Sequence, residues 1–281
     1  MTSFNGSRSS GIPFFLEGSA GRIFAMYHAP MQGKESRRAV LYLPPFAEEM
    51  NRSRRMIALQ ARALADRGHG VLLPDLYGTG DSEGEFREAR LATWLSDVDL
   101  ASNWLIHAGY SHVELWGLRF GALLAAAAIE RSPQRFRRLL LWQPVINGRH
   151  MMTQFMRIAL TSSWGSNEPK MSPETIRANL LNGSQVEVGG YELSPELVTA
   201  VETMSLSPSV SANLQSLYWF ELGPDPSDEL MPSSRNTIDS WRGMGCDVVS
   251  RKLLGPQFWT TAETTIAPNL LNATTSAFSL S

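Results

Sequence analysis

"LWGLRFGALLA", residues 115–125, is the stretch on which the fold turns. A short apolar run leads in, a longer apolar run leads out, and Gly117 and Gly121 frame the bend between them. A G-x-S-x-G turn of this kind holds a nucleophile on a strained strand-to-helix bend at the top of a sheet. Here the central position is Arg119, and a guanidinium does not attack carbonyls.

Outward from this bend, short β-type runs alternate with helical ones. Upstream lie the strands "HVELWG" and "GVLLP", the latter running into the glycine-rich loop "DLYGTGDSEG". The helix "LATWLSDVDLASNWLIHAG" separates them. Before these come "AVLYLPPF", stopped by Pro44 and Pro45, and a helix in "RSRRMIALQARALADRG" that ends at Gly68. "IPFFLE" and "RIFAMYH" form a hairpin at the start. Downstream come the helix "FGALLAAAAIERS" and the strands "FRRLLLWQPV", "SLYWFELG" and "CDVVSRKLLG". A helix near Thr237 to Met244 and a closing helix from about Thr260 complete the series. The alternation predicts an α/β architecture, a mostly parallel sheet with helices on both faces.

Residues 144–212 break the rhythm with helices in "GRHMMTQFMRIAL" and "SPETIRANLLNG", a small hairpin, and a further helix. They read as a helical cap inserted into a core of residues 11–143 and 213–281. Met151, Met152 and Met156 crowd the first cap helix, where flexible thioethers suit either an adaptable ligand face or simple filling.

With 25 basic and 27 acidic residues the chain is nearly neutral, which argues against a nucleic-acid partner. The single cysteine, Cys246, suits a reducing cytosol, and the longest apolar run, "FGALLAAAAI", is too short to span a bilayer. "GTGDSEG" lacks the lysine of a phosphate-binding loop and the glycine spacing of a dinucleotide fingerprint. Asp75 and Asp81 have no third ligand at clear spacing. No metal or cofactor is expected. "RFRR", residues 135–138, is a weak basic patch.

The stretches "YLPPFAEEMNRSRRMIALQARALADRG", "GTGDSEG", "WGLRFGALLA", "LLLWQPVINGRH", "VGGYELSPEL" and "GPQFW" resemble the exosortase A system-associated hydrolase 2 group of the α/β-hydrolase superfamily. The resemblance spans residues 42–259 and implies an α/β-hydrolase fold with an eight-stranded sheet. It also implies a setting beside the PEP-CTERM/exosortase sorting system and exopolysaccharide genes. "Hydrolase" in that name follows the fold and implies no substrate.

The same resemblance places a nucleophile at 119, an acid after the seventh strand and a histidine after the eighth. Asp225 or Asp228 fills the acid position, whereas Gln257 falls near the base. A triad needs nucleophile, base and acid together. The five histidines are His28, His69, His107, His112 and His150, and only His150, at the start of the cap, is placed to approach a pocket mouth.

What remains suits binding. Arg119 at a helix N-terminus favours an anion, and the backbone N–H groups of Phe46 and Phe120 match the superfamily's oxyanion donors. Glu48 or Glu49 either neutralises Arg119 or acts as a general base on water. Trp142, with Trp116, Phe155, Tyr191 and Trp259, is a candidate lining for an apolar or sugar-binding cleft. Ser82 and Cys246 read as structural. Two functions stay open: a hydrolase of ester, thioester or acyl-glycan substrates by a non-triad route, and an inactive binder of a small anionic acyl, lipid or glycan ligand. A homodimer is compatible with either.

Overall fold

The computed structural model describes residues 11–158, 171–206, 214–225 and 229–279. Its centre is an eight-stranded sheet of order β1-β2-β4-β3-β5-β6-β9-β10. The strands are β1 (Ile12–Glu17), β2 (Arg22–His28), β3 (Arg38–Leu43), β4 (Gly70–Pro74), β5 (His112–Leu118), β6 (Phe136–Trp142), β9 (Ser216–Gly223) and β10 (Asp247–Leu254). β1 and β2 form the antiparallel hairpin, with Ile12 opposite Tyr27, and β2 runs antiparallel to β4; all other pairs are parallel. This is the strand order and direction of the α/β-hydrolase fold.

Alternation along the strands assigns side chains to the two faces. Leu41, Leu115 and Leu139 pack with α2 (Leu91–His107) and α3 (Gly121–Arg131), among Val98, Leu105 and Leu124. Their neighbours Val40, Trp116 and Leu140 pack instead with α1 (Glu48–Ala65) and the closing helix α8 (Pro268–Ser279), among Ile57, Leu64 and Leu270. Strands buried on both faces need near-continuous apolar runs, which "RAVLYL" and "FRRLLLW" provide.

Between β6 and β9 lie α4 (Gly148–Met156), α5 (Pro173–Leu181), the hairpin β7 (Val186–Val188) and β8 (Tyr191–Leu193), and α6 (Pro195–Thr203). Asn147, Ser172 and Ser194 cap the three helices, each side chain accepting a backbone N–H three residues on. The buried methionines Met151, Met152 and Met156 join the same apolar cluster as α2 and α3, so this segment is continuous with the core. The end of "GRHMMTQFMRIAL" falls partly outside the described residues.

Three boundaries differ from the sequence reading. α1 begins at Glu48, four residues before the helix expected from Arg52, its first turn carrying two carboxylates that complement the dipole. α7 runs from Pro232 to Gly243 and α8 starts at Pro268, each with proline at the first position, where a missing N–H costs nothing. Residues 260–267, expected as helix, are held by local turns such as Thr261 Oγ1 donating to the Glu263 carbonyl at 2.9 Å.

Candidate functional site

Both glycines of the opening motif are fixed by close backbone approach. A Cβ on Gly121 would sit 2.1 Å from the Leu43 carbonyl oxygen, and one on Gly117 would sit 2.6 Å from that of Gly121. With the two glycines in place, α3 starts tight against the end of β3. Arg119 stands at the apex of the bend with φ 54°, a left-handed conformation that costs a non-glycine residue about 1–2 kcal/mol. Its peptide is pinned on both sides: its N–H donates to the Trp142 carbonyl at 3.0 Å, and its carbonyl accepts from Val145 N–H at 3.1 Å.

Among the described residues, the only other non-glycine positions with positive φ are Ala47 (53°) and Gln143 (43°). They follow β3 and β6, so all three strained residues cluster at the C-terminal edge of the central strands. Such clustering is a mark of functional sites. Gln143 is held there by its own side chain, whose Oε1 accepts from Leu222 N–H at 2.8 Å. No signal in the sequence pointed to Ala47 or Gln143.

Two helix N-termini converge at this edge, α1 after Ala47 and α3 after Phe120, and neither has a side-chain cap. A cavity of about 200 Å³ opens beside them, lined by Phe46, Leu76, Phe86, Trp94, Phe120 and Tyr191 among others. The hydrogen bonds among the described residues leave the backbone N–H of Phe46 and of Phe120 without an acceptor. Their rings meet edge-on at 5.5 Å and form one wall of the cavity.

Phe46 also borders a second, smaller cleft of about 140 Å³, lined by Glu48, Glu49, Arg119, Gln154, Phe155 and Ile158 among others. There Arg119 Nε donates to Glu49 at 3.2 Å (Oε1) and 3.4 Å (Oε2). The guanidinium carbon lies 5.6 Å from the centre of the Trp259 ring, within cation–π range. Burial raises the Glu49 pKa above the ordinary carboxylate value, with Arg119 pulling the other way. Glu48 takes other partners: Asn51 Nδ2 at 3.1 Å, Tyr191 Oη at 3.3 Å and Arg52 Nε at 3.5 Å.

The remaining candidates separate. Trp142 is fully buried on the α8 side, donating from Nε1 to Thr274 Oγ1 at 2.8 Å, and does not line the cleft; this corrects its reading as a ligand contact. Trp116 stacks edge-on against it at 4.7 Å and is core as well. Phe155 and Tyr191 do line the clefts. His150 is exposed on α4, its Nε2 2.9 Å from Gln154 Nε2, and belongs to neither cleft wall. Gln257 is exposed on the turn after β10, and Trp259, two residues further, is the residue that reaches Arg119. Asp225 is exposed after β9, and Asp228 lies outside the described residues. Ser82 braces the glycine-rich loop, accepting from Phe24 N–H at 2.8 Å and donating to the Asp75 carbonyl at 2.6 Å. Among the described residues no group of histidines, cysteines and carboxylates is arranged to hold a metal ion.

No helix among the described residues is long and apolar enough to cross a membrane. Solved structures resemble the fold over nearly its whole length. Est1E from Butyrivibrio proteoclasticus, solved with ferulic acid, is 16% identical with TM-score 0.64, covering 95% of this chain and 96% of that one. A thermostable carboxyl esterase from Bacillus coagulans, solved with glycerol, is 12% identical with TM-score 0.62, over 96% and 97% of the chains. Alpha/beta hydrolase domain-containing protein 10 from mouse is 13% identical with TM-score 0.56, over 95% and 96%. No curated protein matches in sequence. The family model for serine aminopeptidase, S33, matches residues 34–199, more than half of the chain. The chain belongs to that family of α/β hydrolases.

Proposed function

We propose that this chain binds a small acyl ligand, an ester, thioester or free acid, in the cavity beside Phe46 and Phe120, and does not hydrolyse it. In this reading Arg119 stands where the family's elbow carries a serine. One observation carries it: Glu49 and Trp259 clamp the Arg119 side chain over the elbow, in the space where a nucleophile and its base would work. The two uncapped helix N-termini and the N–H groups of Phe46 and Phe120 suit a carbonyl or carboxylate oxygen. The aromatic walls suit an apolar chain or ring. Following the resemblance to the exosortase-associated group, the ligand comes from exopolysaccharide or lipid-linked precursor chemistry, in the cytosol.

A second reading rests on the raised pKa of Glu49. There Glu49 removes a proton from water, the hydroxide adds to the acyl carbonyl, and the leaving oxygen or sulfur recovers the proton from Glu49. Arg119 lowers the basicity of Glu49 and lies against both of its carboxylate oxygens, where the proton of a water would have to go, which favours the first reading.

Titration of the protein with decanoate and with decanol, read by tryptophan fluorescence because Trp94 lines the cavity, tests the binding claim. Saturable quenching is expected, with decanoate at least about tenfold tighter because a charged carboxylate accepts from the N–H donors more strongly than a hydroxyl does. Equal affinity, or no binding of either, overturns it.

A further inference from the structure

The opposite end of the sheet carries a basic groove that the acyl reading does not use. It lies one strand length from the elbow, about 20 Å at ~3.3 Å per residue along β5. A groove of about 400 Å³ is lined there by Arg38, Ser111, His112, Arg135, Arg137 and Arg138 among others. An adjoining groove shares Arg38, Ser111 and His112 and adds Arg37 and Arg67. Among the described residues, Glu114 is the only acidic one lining either. Asp99 pairs with Arg131 and Arg135 beside the groove, so the positive charge of this pole rests on Arg37, Arg38, Arg137 and Arg138.

Helix dipoles account for only part of the pattern. The C-termini of α1 and α3 lie near this pole and favour cations such as Arg67 and Arg131. Arg37, Arg38, Arg137 and Arg138 sit at the starts of β3 and β6, where no dipole asks for them.

The groove also contains a buried polar centre. The Glu114 side chain is 6% exposed and lies 3.7 Å from both Arg38 Nη1 and Arg138 Nη1, too far for a hydrogen bond. Its Oε2 and the Arg38 Nη1 are buried without a hydrogen-bond partner among the described residues. Leaving such groups unsatisfied is unfavourable. A carboxylate oxygen there takes a hydroxyl or N–H donor, while the surrounding guanidinium groups take an anion with tetrahedral oxygens.

We infer that this groove binds a small organic phosphate bearing hydroxyls, a sugar phosphate, with its phosphate on Arg137 and Arg138 and a hydroxyl donating to Glu114. The site is separate from the elbow, and neither claim depends on the other.

Calorimetric titration of the full chain with glucose 1-phosphate, inorganic phosphate and glucose tests this. Glucose 1-phosphate is expected to bind at least about tenfold tighter than inorganic phosphate, with glucose weaker than both. Arg137→Ala, at an exposed position, lowers the glucose 1-phosphate affinity about tenfold and leaves the fold intact. Glu114→Gln removes a negative charge and so strengthens inorganic phosphate binding, but narrows the gap between the two ligands. Equal strengthening for both, equal affinity in the wild type, or indifference to Arg137→Ala reduces the pole to an unspecific basic patch and overturns the proposal. Sedimentation with phosphatidylglycerol vesicles, without glucose 1-phosphate binding, makes it a membrane contact and overturns it equally.

Discussion

Arg119 and Glu49 form an ion pair across the elbow, with Arg119 Nε within 3.2 Å and 3.4 Å of the two carboxylate oxygens. The side chains are 19% and 27% exposed, so the pair is largely but not wholly out of water. The Glu49 carboxylate also sits in the first turn of α1, where the helix dipole favours it. An otherwise awkward arginine at a left-handed apex is thereby given a fixed position.

Removing one partner strands the other. Arg119→Ala is expected to cost about 1–2 kcal/mol in urea unfolding, below the 3–5 typical of fully buried pairs because both groups are partly exposed. Adding Glu49→Gln to Arg119→Ala is expected to recover part of that loss. A double-mutant cycle with a coupling near zero shows that the pair contributes nothing.

The glycine frame gives a contrast within one residue type. Gly121→Ala drives a Cβ to 2.1 Å from the Leu43 carbonyl oxygen, and a loss of at least about 2–3 kcal/mol is expected, with the start of α3 displaced. Gly243→Ala meets nothing within 4 Å at the end of α7, where the exchange is expected to be neutral or to stabilise by up to about 1 kcal/mol. Similar losses at both positions contradict the steric account of the motif.

Asp97 on α2 is buried, and its Oδ2 accepts Tyr77 N–H at 2.9 Å, tying α2 to the loop after β4. Burial raises its pKa from 3.8 to about 6, and the Tyr77 bond only partly opposes this. Because the folded pKa lies above the unfolded one, the folded state binds the extra proton between these values. Stability therefore falls as pH rises from about 4 to about 6, by up to about 3 kcal/mol. Asp97→Asn keeps an acceptor for Tyr77 and is expected to flatten this part of the stability–pH profile, measured by urea unfolding at pH 4.5 and 7. An unchanged slope locates the titration elsewhere.

Much of the architecture was legible because parallel strands buried on both faces must be apolar, so "AVLYL" and "LLLW" announced themselves. The bend at 117–121 was legible because only glycine tolerates the contacts found there. Helix starts were read late at Glu48 and Pro232 because polar first turns look like loop in an apolar pattern. The closing helix was read too early, at Thr260, because turns preceding Pro268 carry residues that a helix also accepts. The sequence offered Glu48 and Glu49 as alternatives, and it is helix phase that sends Glu49 to Arg119 and Glu48 to Tyr191. Trp142 misled because a tryptophan at a strand end faces a ligand or a helix according to one residue of register. The strain at Ala47 and Gln143 leaves no trace in composition at all.

The most direct test of the central claim is turnover of the wild-type chain on short and long acyl esters and thioesters, beside Arg119→Ala and Glu49→Gln. With Arg119 clamped by Glu49 and Trp259, traces equal to buffer are expected for all three proteins. Wild-type turnover above buffer that disappears in Glu49→Gln, with the fold intact by circular dichroism, would contradict the account and make Glu49 a working base.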